Sequence, residues 1–216
     1  MYSLQHLLTH FDRKERHALL EKVFGDNIRH IPNAFIAEIQ KELPIVIPNN
    51  HTWFLDYHID WIEAAIFFYL EDTDLNDECC FPRCGGEGYP KFTLDFTQRD
   101  IDFLIYFKEN DSDNLIMIEA KYDTRWGNKQ VNIKLDRLEA IYKNYTQLNK
   151  TKNKQVNINF YYILMSPVKP QKLSTTTKWS WIKLNKSDKL HTVSRCDKNK
   201  RKTKDGDYWS FFKATN

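Results

Sequence analysis

Two apolar runs joined by a polar turn constrain this chain more than any other feature. Residues Arg99 to Phe107 (RDIDFLIYF) and Leu115 to Lys121 (LIMIEAK) are strand-like, and Lys108 to Asn114 between them is dense in turn formers. The pattern predicts a β-hairpin centred on Asn110 to Ser112, which sets Asp102 across from Glu119 to Lys121. Side chains alternate along a strand, so Glu119 and Lys121 share one face, about 7 Å apart. Two carboxylates and an ammonium then converge on one patch. A solvated ion pair on a surface hairpin accounts for each charge singly. It does not account for their position at the end of Ile116, Met117 and Ile118, a run apolar enough to be buried.

That set suits a divalent cation. Mg²⁺ is hard, prefers oxygen ligands, and usually takes one or two protein carboxylates plus water and substrate phosphate. Such an ion lowers the pKa of its water and neutralises charge on a phosphate. A lysine beside it can position the water or stabilise the charge that develops in the transition state. Asp100 lies on the same strand face as Asp102 and is the alternative first acid; Asp95 is a third.

An acid followed, at the end of the next apolar strand, by Glu119, Ala120 and Lys121 resembles the PD-(D/E)XK nuclease superfamily, the fold of many restriction endonucleases. The resemblance covers roughly residues 56 to 166. Asp102 matches the first metal-binding acid, Glu119 the second, and Lys121 the catalytic lysine, and the Ala120 carbonyl is implied as a backbone metal ligand. The proline of the family pattern is missing: Arg99 precedes Asp100 and Ile101 precedes Asp102. Many members carry a metal-binding glutamate on the helix before the sheet. Glu63 is the residue that matches it, with Asp60 and Glu71 as lesser candidates. The resemblance also implies that polar residues on the helix after the motif, here Gln130, Lys134 and Arg137, face DNA or the metal-bound water. The implied fold class is α/β: a restriction endonuclease-like mixed central sheet flanked by helices, with a helical N-terminal part and a basic C-terminal extension.

The rest of the chain is read around that core. Residues 3 to 24 predict one amphipathic helix, Ala34 to Leu43 a short one, and Thr52 to Leu70 a long one whose apolar stripe (Ile59, Ile62, Ile66, Phe67, Leu70) contains Glu63. A lone carboxylate in such a stripe needs a partner, and a metal or the active-site lysine would supply it. A loop holds Cys79, Cys80 and Cys84 between Thr73 and Pro90, and a strand is expected from Phe92 to Phe96. A helix follows over 128 to 147, then a strand from Val156 to Met165, reached by a parallel crossover. Trp179 to Leu184 alternates like a strand with His191 to Ser194 as its expected partner, and Tyr208 to Phe212 is expected to anchor the chain end on the core. The expected parts are 1–50 (helical), 51–168 (core) and 169–216 (basic, aromatic extension), packed as one compact domain.

Composition sets the remaining bounds. No apolar run among the 216 residues reaches the ~20 that a membrane helix needs, and no secretion signal is expected at the N-terminus. Four cysteines without a C-x-x-C pair argue for a reducing, cytoplasmic setting and against a zinc or iron–sulfur centre. The net charge of +3 is weakly basic, but bases peak at Arg195, Lys198, Lys200, Arg201, Lys202 and Lys204, a composition suited to a phosphodiester backbone. The expectation is a Mg²⁺-dependent endonuclease (Mn²⁺ able to substitute) acting on DNA, double-stranded by preference, of restriction or other defence type. Repair or junction resolution is the next alternative. A non-catalytic nucleic-acid-binding module and a protein-interaction domain are the readings from other classes. A homodimer is implied by the resemblance alone.

Overall fold

The computed structural model describes residues 2–25, 30–72, 75, 91, 99–121, 128–170, 173, 178–184 and 191–213, those at 128–130, 191–192 and 211–213 without their side chains. The chain divides into two compact units, 1–183 and 184–216. The first is α/β. Its five-stranded sheet has the order β1 (Thr52–His58), β2 (Asp100–Glu109), β3 (Ser112–Ala120), β4 (Asn157–Ser166), β5 (Ser180–Lys183). The first three strands are antiparallel, and β3, β4 and β5 run parallel.

β2 and β3 meet through a two-residue loop, Asn110 and Asp111, with φ of 48° and 61°. Both residues tolerate the left-handed region, and the resulting turn has the twist that antiparallel strands need. It fixes Glu109 against Ser112 and carries the register to Phe103 against Ile118. The parallel step from β3 to β4 passes through α5 (Asn128–Thr151), as the pattern predicts. Val131, Leu135, Leu138, Ile141 and Leu148 of α5 bury one face of the sheet together with Leu115, Met117, Ile158 and Leu164. α4 (Ile59–Glu71) packs beside α5, and α1 (Leu4–Phe11) packs on α4. On the other sheet face, Phe35 of α3 (Asn33–Glu42) meets Phe103 edge-on.

Several expectations are corrected. The single helix over 3 to 24 is two, α1 and α2 (Glu15–Phe24). Asp12 is extended where the first ends; its carboxylate takes the Lys14 N–H at 3.2 Å and lies 2.6 Å from His17 Nδ1. A short polar side chain bonding its local backbone competes with the helix in this way. The helix expected from Thr52 begins only at Ile59. Thr52 to His58 forms β1 because its β-branched and aromatic residues complete a ladder with β2. His58 then caps α4, accepting the Asp60 N–H at 3.3 Å, while the Ile59 N–H donates to the Arg99 carbonyl. β5 pairs with β4, so the core unit runs to 183 rather than 168.

β6 (His191–Cys196) pairs antiparallel with β7 (Tyr208–Lys213) rather than with residues 179–184. Tyr208 and Trp209 are exposed, and the side chains of Phe211 and Phe212 lie outside the described residues. The strand expected from Phe92 to Phe96, with Asp95, and the cysteines 79, 80 and 84 lie outside the described residues. No helix among the described residues is long and apolar enough to cross a membrane.

Candidate active site

One end of the sheet gathers the acids. One step beyond the last β2–β3 pair, Asp102 stands against Glu119, as the hairpin register requires. The ladder gives way there: the Ala120 N–H donates to Asp102 Oδ2 at 2.7 Å, so a carboxylate bridges the two strands. On the β1 side, the pairs Leu55 with Phe103 and Tyr57 with Ile101 bracket Asp56, which has φ of 51° and lies level with Asp102. Asp56, Asp102 and Glu119 thus occupy one level across three strands.

Glu119 shares the helix-covered face with Leu115 and Met117, which are buried in the core. Its side chain is 13% exposed, and Oε1 accepts from Lys134 Nζ at 2.6 Å. The same ammonium donates to the Asp100 carbonyl at 2.7 Å. Burial, and next the charge of Asp102, push the Glu119 carboxyl up to about 7; Lys134 and Lys121 pull against them. Lys121 is half-buried, and its N–H continues the sheet to the Met165 carbonyl. Asp102 and Lys121 therefore both lie within electrostatic reach of Glu119.

The alternative acid, Asp100, is directed elsewhere. Its Oδ2 pairs with Lys14 Nζ at 2.7 Å, and its Oδ1 is buried without a hydrogen-bond partner among the described residues. Arg16, from the same N-terminal segment, pairs with Asp56 at 2.5 Å. Sequence reasoning missed Lys14, Arg16 and Asp56, since nothing local connects residues separated by 40 to 86 positions.

Two assignments from the resemblance are corrected. Glu63 is buried on α4, but Oε1 accepts from Asn144 Nδ2 at 2.9 Å. Asn144 lies ten residues beyond Lys134 on α5, which is about 15 Å along the helix axis. Glu63 therefore stands away from the Asp102–Glu119 pair, with an amide answering its burial. Arg137 does not face outward toward DNA. It forms an ion pair with Asp60, and both side chains are buried. Lys134, expected to face DNA or the metal-bound water, pairs with Glu119. Glu71 at the end of α4 pairs at 3.1 Å with Lys152, one residue past α5. The side chain of Gln130 lies outside the described residues.

The donor set fits Mg²⁺. Asp102 and Glu119 supply hard oxygen ligands, and their mutual repulsion in a half-buried place is relieved by a cation. Among the described residues no group of three or more histidines, cysteines, aspartates or glutamates is arranged to hold a metal ion. Arg195, Lys198, Lys200, Arg201, Lys202 and Lys204 are exposed in the second unit. No family model matches the chain, and neither does any curated protein or solved structure.

Proposed function

We propose that this chain is a Mg²⁺-dependent deoxyribonuclease with a restriction endonuclease-like core. One observation carries the reading: the Asp102 carboxylate bridges to β3 beside a half-buried Glu119 whose proton affinity its charge raises. A structural pair of this kind is costly, and a cation-binding pair has a reason to persist. The order of β-hairpin, α5 and parallel β4 supports the same core.

Asp102 and Glu119 would hold the ion, with the Ala120 carbonyl as the implied third ligand. When bound, Mg²⁺ neutralises charge on the scissile phosphate and acidifies water. Lys121, within electrostatic reach of Glu119, would orient the attacking water and stabilise charge on the phosphate oxygens. Lys134 holds Glu119 in place when no metal is present. A restriction or other defence role is favoured, and repair or junction resolution comes next.

The test is incubation with plasmid, linear, single-stranded and branched DNA in Mg²⁺ or Mn²⁺ against EDTA. Metal-dependent cutting that Asp102→Ala abolishes supports the reading, and a defined ladder of products indicates restriction-type specificity. Retention of DNA without any product indicates a binding module.

A further inference from the structure

The β6–β7 ribbon displays aromatic and cationic side chains together. Its register sets Arg195 directly across from Trp209 and Val193 across from Phe211. Directly opposed residues in an antiparallel pair share a face, with Cβ atoms about 5 Å apart. Trp209 is 68% exposed, Val193 61%, and Tyr208 on the neighbouring position 58%.

The turn joining the strands is a built element. The Asp197 carboxylate accepts the N–H groups of Asn199 and Arg201 at 2.8 and 2.9 Å, and the Thr203 N–H donates to the Arg195 carbonyl at 3.2 Å. Gly206 backs onto the Cys196 main chain so closely that any Cβ would run into it. The charge of Asp197 is consumed inside this turn, while Lys198, Lys200, Arg201, Lys202 and Lys204 are exposed around it. Residues 191–213 hold seven lysines and arginines against three aspartates, a net +4, where the whole chain carries +3.

We propose that this ribbon binds nucleic acid through unpaired bases: a base stacks on Trp209 beside the Arg195 guanidinium while the backbone phosphates follow the Lys198–Lys204 turn. Charge complementarity selects a polyanion, and an exposed ring next to a guanidinium selects one with free planar faces. A paired base offers no such face without unstacking. The inference deepens the nucleic-acid part of the proposed function and does not use the metal site.

The test measures binding of the full chain to a fluorescent oligothymidylate and to a duplex of the same length, in EDTA so that nothing is cut. Trp209→Ala is expected to weaken oligothymidylate binding about 10- to 100-fold and duplex binding by no more than about twofold. Trp209→Phe should recover most of the loss. Arg201→Gln with Lys202→Gln should weaken both and flatten the salt dependence by about 0.7 in log–log slope per charge removed for the single strand. Unchanged oligothymidylate binding in Trp209→Ala, or equal losses on both substrates, would overturn the inference. Competition by polyglutamate as effective as by oligothymidylate would also overturn it, indicating a patch for an acidic protein. Because binding is read without cleavage, a chain that cuts nothing leaves the inference standing, and one that cuts but ignores Trp209 defeats it alone.

Discussion

The Lys134 ammonium sits 2.6 Å from Glu119 Oε1 and 2.7 Å from the Asp100 carbonyl, joining α5 to both strands at the acidic end of the sheet. It stands where a bound cation would compete with it for Glu119. Lys134→Met should lower the metal-free stability by about 1–2 kcal/mol, between the values for exposed and buried pairs, since both side chains are only partly covered. Added Mg²⁺ should raise the melting temperature of the variant more than that of the parent, because the ion replaces the lost charge. Equal shifts in the two proteins would mean that Lys134 and the metal do not share Glu119.

The protonation of Glu119 sets a pH dependence with a definite sign. Its carboxyl lies at about 7 in the folded chain against an ordinary 4.5, mainly through burial and next through Asp102. The folded state therefore holds a proton that the unfolded state has released between those values. The contribution of Glu119 to metal-free stability should be full below about 4.5, fall as pH rises toward about 7, and level off above. Glu119→Gln should remove that fall. Carbon-13 NMR of labelled glutamate should find one carboxyl titrating near 7, moved down by Asp102→Asn.

Lys121→Ala should leave the melting temperature close to that of the parent, because the side chain is half-buried and the backbone N–H that continues the sheet is retained. Cleavage should drop about 100-fold or more, the scale on which loss of a transition-state charge contact is felt. Full metal-dependent cutting by this variant would remove the lysine from the reaction.

Arg137 and Asp60 form a buried pair, so their loss should be read in stability rather than in DNA affinity. Arg137→Met or Asp60→Asn alone should cost about 3–5 kcal/mol, by leaving a charge or polar group buried without its partner. Arg137→Met combined with Asp60→Leu should recover much of it. Urea denaturation midpoints of the three variants decide the matter. A selective loss of DNA binding with unchanged midpoints would return Arg137 to the substrate.

What the sequence reveals follows from how local the determinant is. The turn at Asn110 and Asp111 and the alternation on either side suffice to place Asp102 against Glu119, since register propagates from a two-residue loop. Thr52 to His58 was misread because Trp53, Phe54, Leu55 and Tyr57 satisfy a helical stripe as readily as a strand, and only pairing with β2 decides. Asp12 breaks the first helix through a side-chain bond to the Lys14 N–H that no period encodes. Lys134 was legible as a polar residue near the start of α5, but its partner depends on where the whole helix lies over the sheet. Glu63 was rightly expected to need a buried partner; Asn144, 81 residues away, was not foreseeable.

The most direct test is titration of Mn²⁺ into the chain, followed by the loss of the free-ion electron paramagnetic resonance signal. One ion should bind per chain, and Asp102→Asn and Glu119→Gln should each abolish that binding while leaving the fold intact. Absence of binding by the parent, or undiminished binding by both variants, would contradict a metal site at this carboxylate pair.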